Sequence, residues 1–119
     1  MNIRRDQLEG GKIDLADVID SRRVPMKPHP PGDVLRTEFL EPMKLSAYRL
    51  AKDINVPLNR VAGILAGKRA ITADTALRLA CYFGTDAQSW INLQARYDLE
   101  MTRQASGRRI AREVKPRAA

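Results

Sequence analysis

The side chains of this chain that are best suited to recognise a ligand lie between residues 45 and 69. Asn59 carries an amide, which can donate and accept hydrogen bonds together and can bind adenine in a bidentate manner. Leu58 and Ala62 are apolar and could meet a thymine methyl group, and Arg60 could reach a phosphate or a guanine. This combination predicts the reading of base edges in DNA.

A second set of residues in the same stretch is suited to the phosphate backbone. Ser46 opens a predicted helix, where the free backbone N–H groups can bind a phosphate, and Arg49 follows one turn later. Lys68 and Arg69 follow the next predicted helix and could contact the backbone there. For each cation the alternative is ordinary solvation, and for Asn59 it is a surface or capping role. The cluster as a whole favours DNA binding.

The composition argues against other chemistry. The chain has one histidine and one cysteine, so an intrachain disulfide is impossible and a zinc site of the usual kinds is nearly excluded. It has no glycine-rich phosphate loop, and its carboxylates are scattered at helix starts and polar faces. We therefore predict that the protein is not an enzyme and has no metal or cofactor.

Two short helices joined by a tight turn must position the candidate residues. The apolar face of the first helix consists of Ala47, Leu50, Ala51 and Ile54, which are spaced one helical turn apart. Pro57 suits the first turn of the second helix, and Gly67 suits its end. The buried stripe of the second helix consists of Val61, Ile64 and Leu65. Such a pair is a helix-turn-helix, whose second helix enters the major groove.

Two further helices flank this pair. The first helix of the domain is predicted to start near Gly32–Asp33, with Asp33 as its cap and Pro42 ending or kinking it. Its core stripe consists of Leu35, Phe39 and Met43. The fourth helix is capped by Thr72 and closed by Gly84. Its apolar positions are Ala76, Leu79, Ala80 and Phe83, and Cys81 is predicted to be a small buried hydrophobe.

A fifth helix is predicted from about Asp86 to Gln104, after a capping-box pattern at Thr85–Gln88. One seam of this helix consists of Trp90, Leu93, Tyr97 and Met101. The helix is long for so small a domain, so this seam could pack internally or form a homodimer contact. We predict the dimer interface at these four residues.

The net charge of +7 is concentrated near the C-terminus. Residues 103–119 hold six lysines and arginines and one glutamate, whereas residues 31–102 are nearly balanced. We predict a flexible N-terminal arm and proline-rich linker over residues 1–30, the helical domain over 31–104, and a basic tail over 105–119. Without a signal-peptide core or an apolar run of about 20 residues, the predicted location is the cytoplasm, with no membrane partner.

Three segments resemble the HigA family of antitoxins in order and spacing. They are PGDVLRTEFLEP, NVPLNRVAGILAGKRAITADTALRLA and FGTDAQSWINLQARYDL, and they fall within about residues 30–100. The family belongs to the Xre, or lambda-repressor-like, helix-turn-helix class. Helix pattern and resemblance together predict an all-α, five-helix lambda-repressor-like domain. Residues 1–27 and the basic tail lie outside the resemblance.

The resemblance implies a homodimer that represses its own operon by binding a palindromic operator. It also implies a HigB-type partner, a RelE-like ribosome-dependent mRNA endonuclease toxin that the antitoxin neutralises. Carried over by position, the family's DNA face falls on Ser46, Leu58, Asn59, Arg60, Ala62, Lys68 and Arg69. Two alternatives stay open: a stand-alone Xre-type regulator without a toxin, and a protein-interaction module that uses the helix-turn-helix only as a scaffold.

Overall fold

The computed structural model describes residues 27–118, and this part of the chain contains helices and no strand. Helix α1 is α-helical over Pro31–Val34, π-helical over Leu35–Leu40 and α-helical again over Glu41–Met43. The other helices are α2 (Ala47–Ile54), α3 (Leu58–Leu65), α4 (Ala73–Phe83) and α5 (Ala87–Glu113). The predicted all-α, five-helix class is therefore confirmed. The predicted arm at residues 1–26 lies outside the described residues, and Lys27–Pro30 have no regular secondary structure.

Helix α1 differs from its prediction at both ends. Its N-cap is the extended Pro30, with Pro31 at the first helical position, so Asp33 lies in the first turn and is not the cap. The predicted core stripe is wrong at Met43, which is 54% exposed, while Leu40 is buried. The π-helical stretch explains this, because a wider turn places the next buried position five residues after Leu35 instead of four.

Helix α2 and the turn after it follow the sequence prediction closely. Ser46 Oγ accepts a hydrogen bond from the N–H of Arg49 at 3.0 Å, as expected of an N-cap. The predicted apolar face is confirmed: Leu50, Ala51 and Ile54 are buried and Ala47 is half-buried. Asn55 ends the helix in the left-handed region with a φ of 61°, and Pro57 is the N-cap of α3.

Helix α3 packs against α1 by an unusually close backbone contact. A Cβ on Gly32 would lie 2.1 Å from the carbonyl oxygen of Ile64, so only glycine fits at this position. Val61 and Ile64 are buried, and Leu65 is half-buried against the core. Gly67 has a φ of 75°, as suits the predicted stop after the helix.

An aromatic cluster joins α1, α4 and α5. The ring centroid of Phe39 lies 4.7 Å from that of Phe83 and 5.2 Å from that of Trp90. Trp90 is only 3% exposed, and its Nε1 donates a hydrogen bond to Thr85 Oγ1 at 2.8 Å. Its assignment to the dimer interface is therefore corrected: Trp90 is a core residue, because almost none of its surface is left for a partner.

Helix α4 begins at the predicted cap, where the N–H of Thr75 donates to Thr72 Oγ1 at 3.5 Å. Ala76 and Leu79 are buried, as predicted. The expectation for Cys81 is wrong, since this residue is exposed. It lies off the stripe that faces the core.

Helix α5 continues to Glu113, so the predicted end of this helix at about Gln104 is wrong. The sequence beyond Gln104 lacks an apolar period but is rich in arginine and alanine, which are good helix formers. Arg109 and Glu113 add an ion pair at 3.8 Å along the helix.

At the start of α5, Asp86 Oδ2 accepts a hydrogen bond from the N–H of Ser89 at 3.2 Å, so Asp86 acts as the cap in place of Thr85. Pro28–Leu99 form one compact unit, and the rest of α5 belongs to a second unit.

Candidate nucleic-acid interface

The N-terminal half of α3 has three exposed side chains. Asn59 and Ala62 are exposed and Leu58 is 45% exposed. Among the described residues, Asn59 has no hydrogen-bond partner, so its amide is available to a ligand. Gly63 is covered by the side chain of Arg69, since a Cβ on Gly63 would lie 3.0 Å from Cβ and Cδ of Arg69. The aliphatic stem of Arg69 therefore packs on the helix while the residue stays exposed.

The loop after α3 is held by backbone bonds, which leaves its cationic side chains exposed. The N–H groups of Lys68 and Arg69 both donate to the carbonyl oxygen of Gly63, at 2.9 and 3.1 Å. The N–H of Ile71 donates to the side-chain Oε1 of Gln94, a buried residue of α5, at 2.8 Å. No pattern in the sequence predicts this role of Gln94, because its partner is 23 residues away along the chain.

The first turn of α2 carries a cation in a fixed position. Arg49 Nε donates to Asp53 Oδ2 at 3.1 Å, and the hydroxyl of Tyr82 in α4 donates to the same oxygen at 2.5 Å. The hydrogen bond from Tyr82 is the main cause that lowers the pKa of Asp53; desolvation opposes it, and Arg49 lowers the pKa further. The same bond raises the pKa of the Tyr82 phenol. Asp53 is thus a stable anion beside Arg49.

Arg60 does not point into open solvent. Its Nη1 lies 2.8 Å from Asp74 Oδ2 in α4, and Arg78 Nε donates to the same oxygen at 2.9 Å. The hydrogen bond from Arg78, followed by that from Arg60, lowers the pKa of Asp74, while desolvation opposes them. In this structure Arg60 forms an ion pair within the protein, and its contact with DNA stays a prediction. The i, i+4 spacing of Asp74 and Arg78 is a sequence signal for the pair between those two residues only.

Arginines from other helices also hold the ends of α2 and α3. Arg78 Nη1 donates to the carbonyl oxygens of Ile54 at 2.9 Å and Asn55 at 3.4 Å, which end α2. Arg36 Nη2 in α1 donates to the carbonyl oxygen of Leu65 at 2.7 Å, which ends α3. Cations at helix C-termini are favourable because they satisfy free carbonyls and the helix dipole. Side chains outside the two helices therefore hold the ends of both.

The described residues contain no arrangement suited to a metal ion. Within residues 27–118, no group of three or more His, Cys, Asp and Glu side chains comes together. Across the same range, every helix is too short or too polar to cross a membrane. What the surface does offer is an uncommitted amide, small apolar groups and several cations, which is the chemistry of nucleic-acid recognition.

Comparison with known proteins gives the family. Residues 38–90 match the sequence profile of the family HTH_3, described as helix-turn-helix. A HigA-family addiction module antidote protein from Coxiella burnetii has a solved structure that is 50% identical, with a TM-score of 0.74, over 77% of this chain and 100% of that one. The chain belongs to the HigA family of Xre-type helix-turn-helix proteins. The predicted family resemblance is thereby confirmed.

Two further comparisons are informative. The antitoxin HigA from Pseudomonas aeruginosa, solved with the higBA promoter, is 40% identical with a TM-score of 0.75, over 77% of this chain and 100% of that one. Virulence-associated protein I from Dichelobacter nodosus is 57% identical over 74 residues, which are 62% of this chain and 68% of that protein. The comparisons therefore cover the helical domain and leave part of the chain unmatched.

Proposed function

We propose that this HigA-family protein is a dimeric antitoxin that binds operator DNA, represses its own operon and neutralises a HigB-like, RelE-type mRNA endonuclease toxin. It acts by binding and carries no catalytic activity of its own. The observation that carries the DNA-binding part is the exposed, uncommitted Asn59 on α3, flanked by Lys68 and Arg69, in the fold of an antitoxin solved with promoter DNA.

Each exposed residue of this surface has a distinct role in the proposal. Asn59 reads a base through its amide, and Leu58 and Ala62 contact thymine methyl groups. Ser46, at the N-terminus of α2, binds a phosphate together with the free backbone N–H groups of that turn. The remaining phosphate contacts come from Arg49, Lys68 and Arg69. Phosphate contacts set the position of the helix, and base contacts set the sequence it prefers.

The dimer contact is proposed on α5. Leu93 and Tyr97 are half-buried and Met101 is 46% exposed, whereas Trp90 is excluded because it is buried in its own protomer. Pairing through α5 would place two α3 helices on successive turns of the major groove, about 34 Å apart. A palindromic operator follows from this two-fold arrangement.

Footprinting and sedimentation test the DNA-binding part. The purified protein is expected to protect a palindrome upstream of its own gene at moderate salt and to sediment as a dimer. Absence of a protected palindrome would contradict the proposal and favour an interaction module that uses the helix-turn-helix only as a scaffold.

The antitoxin part is tested separately with the neighbouring gene. A small basic reading frame directly beside this gene should arrest growth when it is expressed alone, and co-expression of this protein should relieve the arrest. If the palindrome is protected but no neighbour is neutralised, the protein is a stand-alone Xre-type regulator.

A further inference from the structure

A polar stripe on α4 contacts the helix-turn-helix at three places. The stripe consists of Asp74, Arg78 and Tyr82, which are spaced four residues apart and so lie on one side of the helix. Tyr82 bonds to Asp53 of α2, Arg78 bonds to the last carbonyls of α2, and Asp74 bonds to Arg60 of α3. Neither α2 nor α3 supplies comparable bonds to the other among the described side chains.

Asp74 is the residue where these contacts meet. One of its oxygens accepts from both Arg60 and Arg78, and Arg78 continues to the carbonyl oxygen of Ile54. A continuous series of charge-assisted hydrogen bonds therefore runs from the first turn of α3, through α4, to the last turn of α2. It crosses the turn that sets the angle between the two helices.

The position of Arg60 connects this series to DNA reading. Arg60 occupies the first turn of α3, next to Asn59 in the sequence and two residues after Leu58. A side chain that fixes this turn also fixes the direction in which the Asn59 amide leaves the helix. Base recognition needs this direction to be held closely, because binding geometry tolerates errors of only about 0.5 Å.

The exposure of these groups indicates a role in geometry more than in stability. The side chains of Arg60, Asp74 and Arg78 are 30%, 56% and 38% exposed. Ion pairs of this kind contribute little to the free energy of unfolding because water screens them. The series can be broken without unfolding the domain, so its effect on DNA binding can be measured.

We propose that Asp74 is a positioning residue for operator recognition: it holds Arg60, and through Arg60 the first turn of α3, in the orientation that reads bases. The proposal rests on the DNA-binding function proposed above and adds to it a specificity-determining residue that is not itself part of the DNA surface. Arg78 supports Asp74 from the side of α2.

The test compares the affinities of wild type and Asp74→Ala for the operator and for a scrambled duplex of equal length. Asp74→Ala should lower the ratio of the two affinities by about 2- to 30-fold, in the range expected for residues that act through others. The melting temperature should stay close to that of wild type. Asp74→Asn keeps the side-chain shape and should change the ratio in the same direction. This variant tests the proposal if Asp74→Ala has a lower melting temperature than wild type.

Two controls separate positioning from simple loss of charge. Glu38→Ala removes a carboxylate of α1 that is exposed and forms no hydrogen bond or ion pair with another described residue, and it should leave the ratio unchanged. In an Arg60→Ala background, Asp74→Ala should have no further effect on the ratio, because the group that it positions is already absent.

The possible outcomes are distinguishable. If wild type itself does not prefer the operator, the proposed function fails. If wild type prefers the operator and Asp74→Ala keeps the same ratio, the positioning role is wrong while DNA binding stands. Tighter binding of both duplexes by Asp74→Ala, with an unchanged ratio, would instead mean that Asp74 only competes with phosphate for Arg60, and this too would overturn the proposal.

Discussion

At the scale of single residues, Asn59 differs from the arginines around it in having no partner among the described residues. Arg49 and Arg60 are each committed to a carboxylate, whereas the Asn59 amide keeps its full hydrogen-bonding capacity. A free amide on the first turn of α3 is suited to discriminating between bases, because a mismatched base would leave it unsatisfied.

Replacing Asn59 should therefore change sequence preference. We expect Asn59→Ala to cost about 1–3 kcal/mol of operator affinity and to relax the preference at one position in each half-site. Lys68→Ala is the matched contrast: it should weaken all sequences alike and lower the salt slope by about one unit. Titrations of operator and scrambled duplexes at several salt concentrations measure both effects. An equal loss on both duplexes for Asn59→Ala would remove this residue from base reading.

The proposed DNA-binding surface shows what the sequence can and cannot predict about a site. Spacing alone indicated that Leu58, Asn59 and Ala62 point away from the core, and the structure leaves all three exposed. It could not indicate that Arg60 is paired with Asp74, because that pair depends on how α4 crosses α3. Exposure follows from helical period, whereas partners of long side chains follow from tertiary packing.

At the scale of elements, the helices with clear caps and stop signals were predicted well. Ser46 and Thr72 open their helices, and Gly84 closes α4 in the left-handed conformation. The errors arose where the period is not that of an ordinary α-helix or where no apolar period exists. The first case is the π-helical stretch of α1, and the second is the C-terminal part of α5.

The contact between α1 and α3 gives a prediction about packing. Gly32→Ala should lower the free energy of unfolding by about 1–3 kcal/mol or more, because its Cβ would collide with the rigid carbonyl of Ile64. Gly63→Ala is the milder comparison: its Cβ would lie 3.0 Å from Cβ and Cδ of Arg69, so a small shift of that residue relieves the contact, and alanine is the better helix former. Urea denaturation of both variants measures the difference. Equal stability of the two would contradict a close packing at Gly32.

The two carboxylates that bridge α4 to the helix-turn-helix predict a pH dependence. The pKa values of Asp53 and Asp74 lie below the ordinary 3.8, so the folded state binds these protons more weakly than the unfolded state does. Their contribution to stability is complete well above pH 3.8 and is lost as the pH falls through the lowered folded pKa values. Stability should therefore decline in acid partly through these two groups.

A double variant isolates this contribution. The difference in unfolding free energy between wild type and Asp53→Asn/Asp74→Asn should be constant from about pH 7 to 5 and should shrink at lower pH. Urea melts at a series of pH values measure it. A difference that does not change with pH would show that the two carboxyl groups do not titrate differently in the folded and unfolded states.

At the scale of the whole molecule, pairing of two chains depends on surface that the isolated protomer leaves free. In the proposed dimer, Met101→Lys should separate the two chains without lowering the stability of the protomer, because Met101 is 46% exposed and charge is disfavoured at an apolar interface. Trp90→Ala should instead destabilise the protomer by about 3–5 kcal/mol, because it empties part of the core. Sedimentation read beside thermal melts distinguishes the two. A dimer that survives Met101→Lys would place the interface elsewhere.

Part of the basic C-terminal segment is helical. Its residues after Gln104 were predicted to follow the last helix, yet those up to Glu113 lie on it. The sequence could not show this, because a helix without an apolar stripe has the same pattern as a solvated coil.

The π-helical stretch of α1 has a consequence for how this fold can vary in length. In an ordinary helix, losing one residue rotates everything beyond it by about 100° and moves the buried side chains out of the core. In α1, loss of one residue between Leu35 and Leu40 would instead convert the wide turn to an α-helical one and leave both leucines on the core side. A relative that is one residue shorter in this stretch could keep every other contact. A gap inside this helix in a sequence alignment would then reflect a real one-residue deletion and not an alignment error.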